Sequence, residues 1–97
     1  MNSIILRSND LPIKSMSNAK NILEALEKQR KVIQFRKENN EIVQIKPCND
    51  GRFAVLECEE DSDILHRITF KDDKKSVAKR LYQLRKYFNQ KYYWQYL

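Results

Sequence analysis

The feature that most constrains the fold is a change in hydrophobic period near residue 31. Before it, apolar residues recur at the spacing of one helical face: Ala19, Ile22, Leu23 and Leu26. After it, apolar and polar residues alternate in VIQFR and again in IVQIK, which is typical of half-buried strands. The acid- and Asn-rich KENNE between these runs is typical of a hairpin loop. The sequence predicts a helix over about residues 18–30, with Ser17 as its N-cap, followed by a β-hairpin.

Two more strands are predicted after the hairpin. Pro47 ends its second strand, and Asn49-Asp50-Gly51, which contains the only glycine of the chain, is a strong turn signal. RFAVLEC (52–58) is apolar on both faces at 53–56, as expected for a central strand covered on two sides. After the polar EEDSD, ILHRITF (64–70) alternates again.

A long final helix is predicted, with Asp72 or Asp73 as its N-cap, running to about residue 91 or beyond. Its buried stripe is predicted to be Val77, Leu81, Leu84 and Phe88. The predicted fold class is α+β, in the order α-β-β-β-β-α, with a four-stranded antiparallel meander flanked by the two helices. One helix on each face would explain the two-sided apolar run at 53–56.

The chain length of 97 residues fits one domain. We predict a single α+β domain over 17–97, preceded by a lead-in over 1–16 whose Ser, Asn and Pro content permits flexibility. Residues 4–6 are long enough for a short edge strand. They are too short for a secretory signal, and no run approaches the roughly 18 apolar residues of a membrane span. The sequence therefore predicts a cytoplasmic protein.

The net charge of +6 lies entirely in the last part of the chain. Residues 1–70 contain eleven basic and eleven acidic residues, whereas 71–97 contain eight basic residues against Asp72 and Asp73. Seven of the ten aromatic residues also lie in 71–97. This asymmetry is typical of a segment that meets nucleic acid, acidic lipid or an acidic protein.

The final helix supplies the candidate binding residues. Positions 75, 79, 82, 86 and 93 share one face of a continuous helix and carry lysine or tyrosine. Lysines neutralise phosphates, and tyrosine rings stack on bases. A solvated lysine-rich face is the alternative interpretation. The full candidate set is Lys75, Lys79, Arg80, Tyr82, Lys86, Lys91, Tyr93 and Trp94, with Lys46 and Arg52 as secondary contacts.

The terminal KYYWQYL is too aromatic to be left in water without a tendency to associate. Three arrangements would bury it. It can fold back over an open sheet edge or core rim, form a homodimer contact, or stack on bases or enter a partner groove.

The residue types of the chain give little indication of a catalytic site or a metal site. A single glycine excludes glycine-rich phosphate-binding loops, and His66, the only histidine, fits a core or boundary position better than a catalytic one. Cys48 and Cys58 are expected to be free thiols in a retained intracellular chain, with no further ligands for zinc. We predict neither an enzyme nor a bound metal or cofactor.

The segment 43–88 resembles AP2-type DNA-binding domains, including those of some phage and transposon integrases. GRFAVLEC, ILHRITFKD and KKSVAKRLYQL follow that family's order of strand, strand ending in Phe and Lys-rich helix, over under half of the chain. The resemblance implies DNA contacts by Arg52 and Arg67. The acidic EC-EEDSD departs from the family pattern, because that family reads DNA through basic and aromatic side chains on these strands.

The favoured function from sequence is a small non-catalytic protein that binds DNA or RNA with weak sequence specificity. The alternative is an interaction module, such as a phage or mobile-element inhibitor or adaptor, that docks the same helix and tail on an acidic protein surface. A peripheral membrane helix is a weaker third interpretation, because the sheet needs its apolar stripe.

Overall fold

The computed structural model describes residues 4–5, 12–38, 41–59 and 68–97. The elements are β1 (Ile4–Ile5), α1 (Met16–Gln29), β2 (Lys31–Arg36), β3 (Glu41–Pro47), β4 (Phe53–Glu59), β5 (Ile68–Asp72), α2 (Lys74–Gln83), α3 (Arg85–Gln90) and β6 (Tyr92–Tyr96). The strands form one antiparallel sheet in the order β1-β6-β2-β3-β4-β5. The α+β class and the antiparallel meander, here β2 to β5, are confirmed, and 4–5 forms the short edge strand.

Several predicted features lie outside the described residues. These are Asn39 and Asn40 in the hairpin loop, the acidic stretch 60–63, and positions 64–67, which include His66 and Arg67. Most of the lead-in, 1–3 and 6–11, is outside them as well. The described part of the predicted fourth strand runs two residues further than expected, to Asp72.

Helix α1 begins two residues earlier than predicted because Ser15, not Ser17, caps it. The Ser15 hydroxyl accepts a hydrogen bond from the Asn18 N–H at 3.3 Å. The Asn18 side chain in turn accepts one from the Lys14 N–H at 2.9 Å. The helix ends at Arg30, which adopts the left-handed conformation with φ 55° and donates its N–H to the Leu26 carbonyl.

The turn between β3 and β4 is the one predicted. Gly51 has φ 84°, a conformation that favours glycine because it has no Cβ. The Asp50 carboxylate accepts the Arg52 N–H at 3.1 Å, and the Cys48 N–H donates to the Arg52 carbonyl at 2.8 Å. Cys48 itself carries a free, half-buried thiol.

The prediction of one continuous final helix is wrong. Asp73 caps α2, as expected, by accepting the Ser76 N–H at 2.8 Å. The helix then stops at Leu84, whose φ −95° and ψ 9° leave the α-helical region. Leu84 is buried at this break, and the short helix α3 follows.

The aromatic tail forms strand β6 rather than a further helical turn. It lies between β1 and β2, with Tyr92 opposite Phe35 and Trp94 opposite Ile33. The Leu97 N–H extends this pairing by donating to the Arg30 carbonyl at 3.0 Å. Folding back along a sheet edge, one of the three arrangements considered, is therefore the one this chain adopts.

A single core joins all three helices to one sheet face, so the prediction of one helix on each face is wrong. The strands contribute alternate residues, which share one face: Ile33, Phe35, Val43, Ile45, Phe53, Val55 and Tyr92. The predicted stripes of the helices are all buried: Ala19, Ile22, Leu23, Leu26, Val77, Leu81, Leu84 and Phe88. The hydroxyl of Tyr92 has no hydrogen-bond partner among the described residues, and burial raises its pKa to about 12.

The core extends to Ile13, in the segment that the sequence assigned to the lead-in. Its side chain is 2% exposed. The Asn89 side chain holds its backbone from both sides, accepting the Ile13 N–H at 2.8 Å and donating to the Ile13 carbonyl at 3.0 Å. This pair of bonds ties the start of the domain to α3.

Candidate functional site: a basic groove at the end of the sheet

A groove of about 440 Å³ lies where β2 ends and the chain passes from α3 into β6. The described residues that line it, called the basic groove below, are Arg36, Lys37, Glu38, Lys86, Tyr87, Gln90, Lys91 and Tyr93. Four are cations, two are tyrosines and one is an acid. The groove therefore combines positive charge with aromatic rings.

The strand register brings the two walls of the groove together. Phe35 pairs with Tyr92, so the same antiparallel register carries Arg36 and Lys91 to the same end of the sheet. Helix α3 ends at Lys91, which is extended with φ −169°, and the chain then enters β6. Helix α3 begins directly after Leu84 and contributes Lys86, Tyr87 and Gln90 to the lining.

Lys86 and Lys91 have no carboxylate partner among the described residues, and both are exposed. The Lys86 ammonium lies 5.8 Å from the centre of the Tyr87 ring. The Lys91 ammonium lies 5.2 Å from the centre of the Tyr93 ring. Each lysine is thus held near a tyrosine by a weak cation–π contact, and its charge is available to an anion.

Lys37, by contrast, is engaged in an ion-pair network with Glu57, Arg80 and Glu41. The Glu57 carboxylate accepts hydrogen bonds from the Lys37 ammonium at 3.0 Å and from the Arg80 guanidinium at 2.9 Å. Lys37 also lies 3.3 Å from the Glu41 carboxylate. Burial alone would raise the pKa of Glu57, but the bonds from Lys37 and Arg80 outweigh it and hold this pKa below its ordinary value.

We expect Glu57→Gln to destabilise the fold by about 1–2 kcal/mol at pH 7, because it leaves two half-buried cations without their shared carboxylate. Because the pKa of Glu57 is lower in the folded protein, its ionised carboxylate contributes to the free energy of unfolding at pH values above the unfolded-state pKa of about 4.3. This contribution is lost as the pH falls through the pKa of the folded state. Urea unfolding at pH 7, 5 and 3 should show the variant and the wild type converging at low pH.

The matched control is Glu24→Gln. Glu24 pairs with Lys74 at 3.5 Å, but its side chain is 59% exposed. Its loss should change the free energy of unfolding by less than about 0.5 kcal/mol. If Glu57→Gln lowered the free energy of unfolding equally at pH 7 and pH 3, the network would not depend on the Glu57 charge.

Three of the predicted contacts lie elsewhere and have partners within the protein. Arg80 is ion-paired with Glu57, as described. Tyr82 packs against the core, and the guanidinium of Arg85 lies 4.1 Å from the centre of its ring. Trp94 also packs against the core, with the Lys31 ammonium 3.5 Å from its ring centre.

The other predicted cations do not line the basic groove. Lys75 and Lys79 are exposed on α2. Arg52 forms an ion pair with Asp50 at 2.8 Å. Lys46 lines a second, more open cleft of about 470 Å³, whose other described residues are Arg30, Pro47, Cys48, Asn49, Asp50, Lys71 and Leu97. The structure thus groups Lys86, Lys91 and Tyr93 and separates them from the rest of the predicted set.

The groove residues that sequence reasoning missed are Arg36, Lys37, Glu38, Tyr87 and Gln90. One feature of the sequence could have indicated Arg36 and Lys37: they are adjacent cations at the point where the first strand of the hairpin ends. Their proximity to Lys91 comes only from the pairing of β6 with β2. In the described parts of the chain, no cluster of His, Cys, Asp and Glu could hold a metal ion, and no helix is long and apolar enough to cross a membrane.

Comparison with known proteins gave no relative on which to base a function. No protein-family model, curated protein or solved structure matched the chain. The resemblance to AP2-type domains over 43–88 therefore has no family match behind it, and the geometry of the basic groove is the basis for the proposals that follow.

Proposed function

We propose that this protein is a non-catalytic nucleic-acid-binding protein whose contact surface is the basic groove. The observation that carries the proposal is the pairing of Lys86 and Lys91, exposed and without a carboxylate partner among the described residues, with Tyr87 and Tyr93 in one concave surface. Phosphates are bound mainly by lysine and arginine, and tyrosine rings accept bases of any sequence. Both needs are met by neighbouring side chains.

The charge of the whole chain supports the same function. A net charge of +6 steers a polyanion toward the protein, while the exposed Lys75 and Lys79 on α2 add positive potential outside the groove. No arrangement of base-edge donors stands out among the groove residues. We therefore expect binding to depend strongly on salt and weakly on sequence.

The test is fluorescence anisotropy of labelled DNA and RNA oligomers with the wild type and with Lys86→Glu/Lys91→Glu, at about 50 and 200 mM salt. We expect the double variant to raise Kd at least about tenfold at low salt, because two phosphate contacts become repulsions. The slope of log K against log salt should fall by about 1 for each lysine lost.

The matched control is Lys14→Glu/Lys20→Glu. Both lysines are exposed near the start of α1, outside the groove, and their reversal changes the net charge by the same amount. This control should weaken binding only slightly. Equal losses in the two double variants would mean that general charge, and not the groove, binds nucleic acid, and no binding by the wild type at low salt would reject the proposal.

A second candidate function, docking on an acidic protein surface, has its own observation. Tyr96 and Leu97 are 70% and 55% exposed, and Tyr96 contacts Trp94 edge to face at 5.2 Å between ring centres. Exposed aromatic residues of this kind are enriched at protein interfaces. Affinity for such a partner would fall on replacement of Tyr96 by Ser and would vary little with salt.

A further inference from the structure

We infer that the nucleic acid bound in the basic groove is a single strand rather than a duplex. This inference rests on the proposed function and names the form of ligand that the groove accepts. It depends on three properties of the site: its concave shape, its half-buried tyrosines and the presence of Glu38, the one carboxylate among the described residues that line it.

The shape of the site is the first argument. Proteins that read the base edges of a duplex present a projecting element, such as a helix or β-ribbon that enters the major groove, about 12 Å wide. Here α3 has six residues and packs through Phe88 onto the core, and β6 lies within the sheet between β1 and β2. The cations are instead set around a recess of about 440 Å³, into which an unpaired nucleotide can enter.

The tyrosines supply the second argument. Tyr87 and Tyr93 line the recess, both residues are half-buried, and Tyr87 packs against the core. Bases stacked within a duplex present their edges and not their faces, whereas an unpaired base can lay its face on a ring. The ammonium groups of Lys86 and Lys91 lie over these rings, and each is close enough to neutralise the phosphate of a base that takes its place on the ring.

Glu38 supplies the third argument, because its carboxylate repels phosphate at one side of the groove. The rigid, evenly charged backbone of a duplex would carry phosphates past Glu38 as well as past the lysines. A flexible single strand can turn a sugar or a base toward Glu38 and keep its phosphates near Lys86 and Lys91. A single strand can therefore contact the lysines and avoid Glu38 more easily than a duplex can.

The experiment compares a labelled 12-nucleotide single strand with its own duplex, in both DNA and RNA, by anisotropy at equal phosphate concentration. We expect the single strands to bind at least about tenfold more tightly than the corresponding duplexes. The salt slope should be close to 0.7 for each phosphate contact, the value for single strands. Duplex binding as tight as single-strand binding would overturn the inference while leaving the proposed function intact, whereas no binding of any oligomer would reject both.

A stacking role for Tyr93 is tested by Tyr93→Leu and Tyr93→Phe. Leucine keeps an apolar side chain on β6 without an aromatic ring, so single-strand affinity should fall roughly 5- to 100-fold. Phenylalanine keeps the ring and should retain affinity within about threefold. Tyr96→Leu is the control on the same strand, because Tyr96 does not line the groove. An unchanged affinity for Tyr93→Leu with an unchanged unfolding midpoint would show that the ring does not stack on a base.

Discussion

Replacing Phe88 by alanine is expected to lower the free energy of unfolding by about 3–5 kcal/mol. The Phe88 ring is fully buried, meets Phe35 edge to face at 5.6 Å and stacks on Tyr92 at 4.2 Å. It therefore joins α3 to β2 and β6, and the cavity left by its removal would lie between three elements. The loss is a large part of the 5–15 kcal/mol that holds a typical domain together.

Urea unfolding followed through Trp94 fluorescence measures this loss. Trp94 is the only tryptophan and lies on β6, so its emission reports whether the last strand is docked. Phe88→Leu should cost less than the alanine variant because it leaves a smaller cavity. Gln83→Ala, at an exposed position of α2, is the control and should stay within about 0.5 kcal/mol of the wild type. A penalty below about 1 kcal/mol for Phe88→Ala would contradict the packing described here.

The second large effect is expected from removal of residues 92–97, which should leave the chain largely unfolded or aggregated. Strand β6 pairs with β2 over five residues, and burial of the Tyr92 side chain contributes at most about 3 kcal/mol, since its hydroxyl has no hydrogen-bond partner among the described residues. Without β6, the backbone groups of β2 on that side lose their partners. Truncation therefore removes both core packing and sheet hydrogen bonds.

Far-UV circular dichroism and size-exclusion chromatography measure the effect of this truncation. Tyr96→Ser is the control, because Tyr96 is mostly exposed and its replacement leaves the β6 backbone in place. This variant should remain folded and monodisperse. A truncated chain with the wild-type spectrum and unfolding midpoint would show that β6 contributes nothing to the stability of the sheet.

Local sequence patterns predicted α1, β2 and β3 well because interactions between residues close in sequence determine these elements. The shift from helical to strand period located α1, β2 and β3 to within two or three residues. The Asn49-Asp50-Gly51 turn requires a positive φ that only its glycine adopts freely, and Gly51 has it. The stripes of α1 and of the C-terminal helices were predicted correctly because burial follows helical spacing even where the helix is interrupted.

The end of the chain was mispredicted because its structure depends on tertiary pairing. Leu84 is a good helix former, and neither glycine nor proline marks the break there. The strand propensity of YYWQY was the available signal for β6. The alternation of Tyr92, Trp94 and Tyr96 indicates a strand only once β2 is known to pair with this segment. This error carried over to the site. Lys86 and Tyr93 were placed on one helical face, whereas α3 and β6 bring them to a groove completed by Arg36 and Lys37.

The insertion of β6 between β1 and β2 has a consequence for the route by which the protein reaches its fold. The meander of β2 to β5 can form from neighbouring segments, but the pairing of residue 35 with residue 92 must close a loop that contains most of the domain. High contact order of this kind slows folding relative to a helical protein of the same size. Until that loop closes, β2 is an unprotected edge beside an incomplete core. The transient species most prone to self-association is therefore one in which the meander has formed and the last strand has not yet docked.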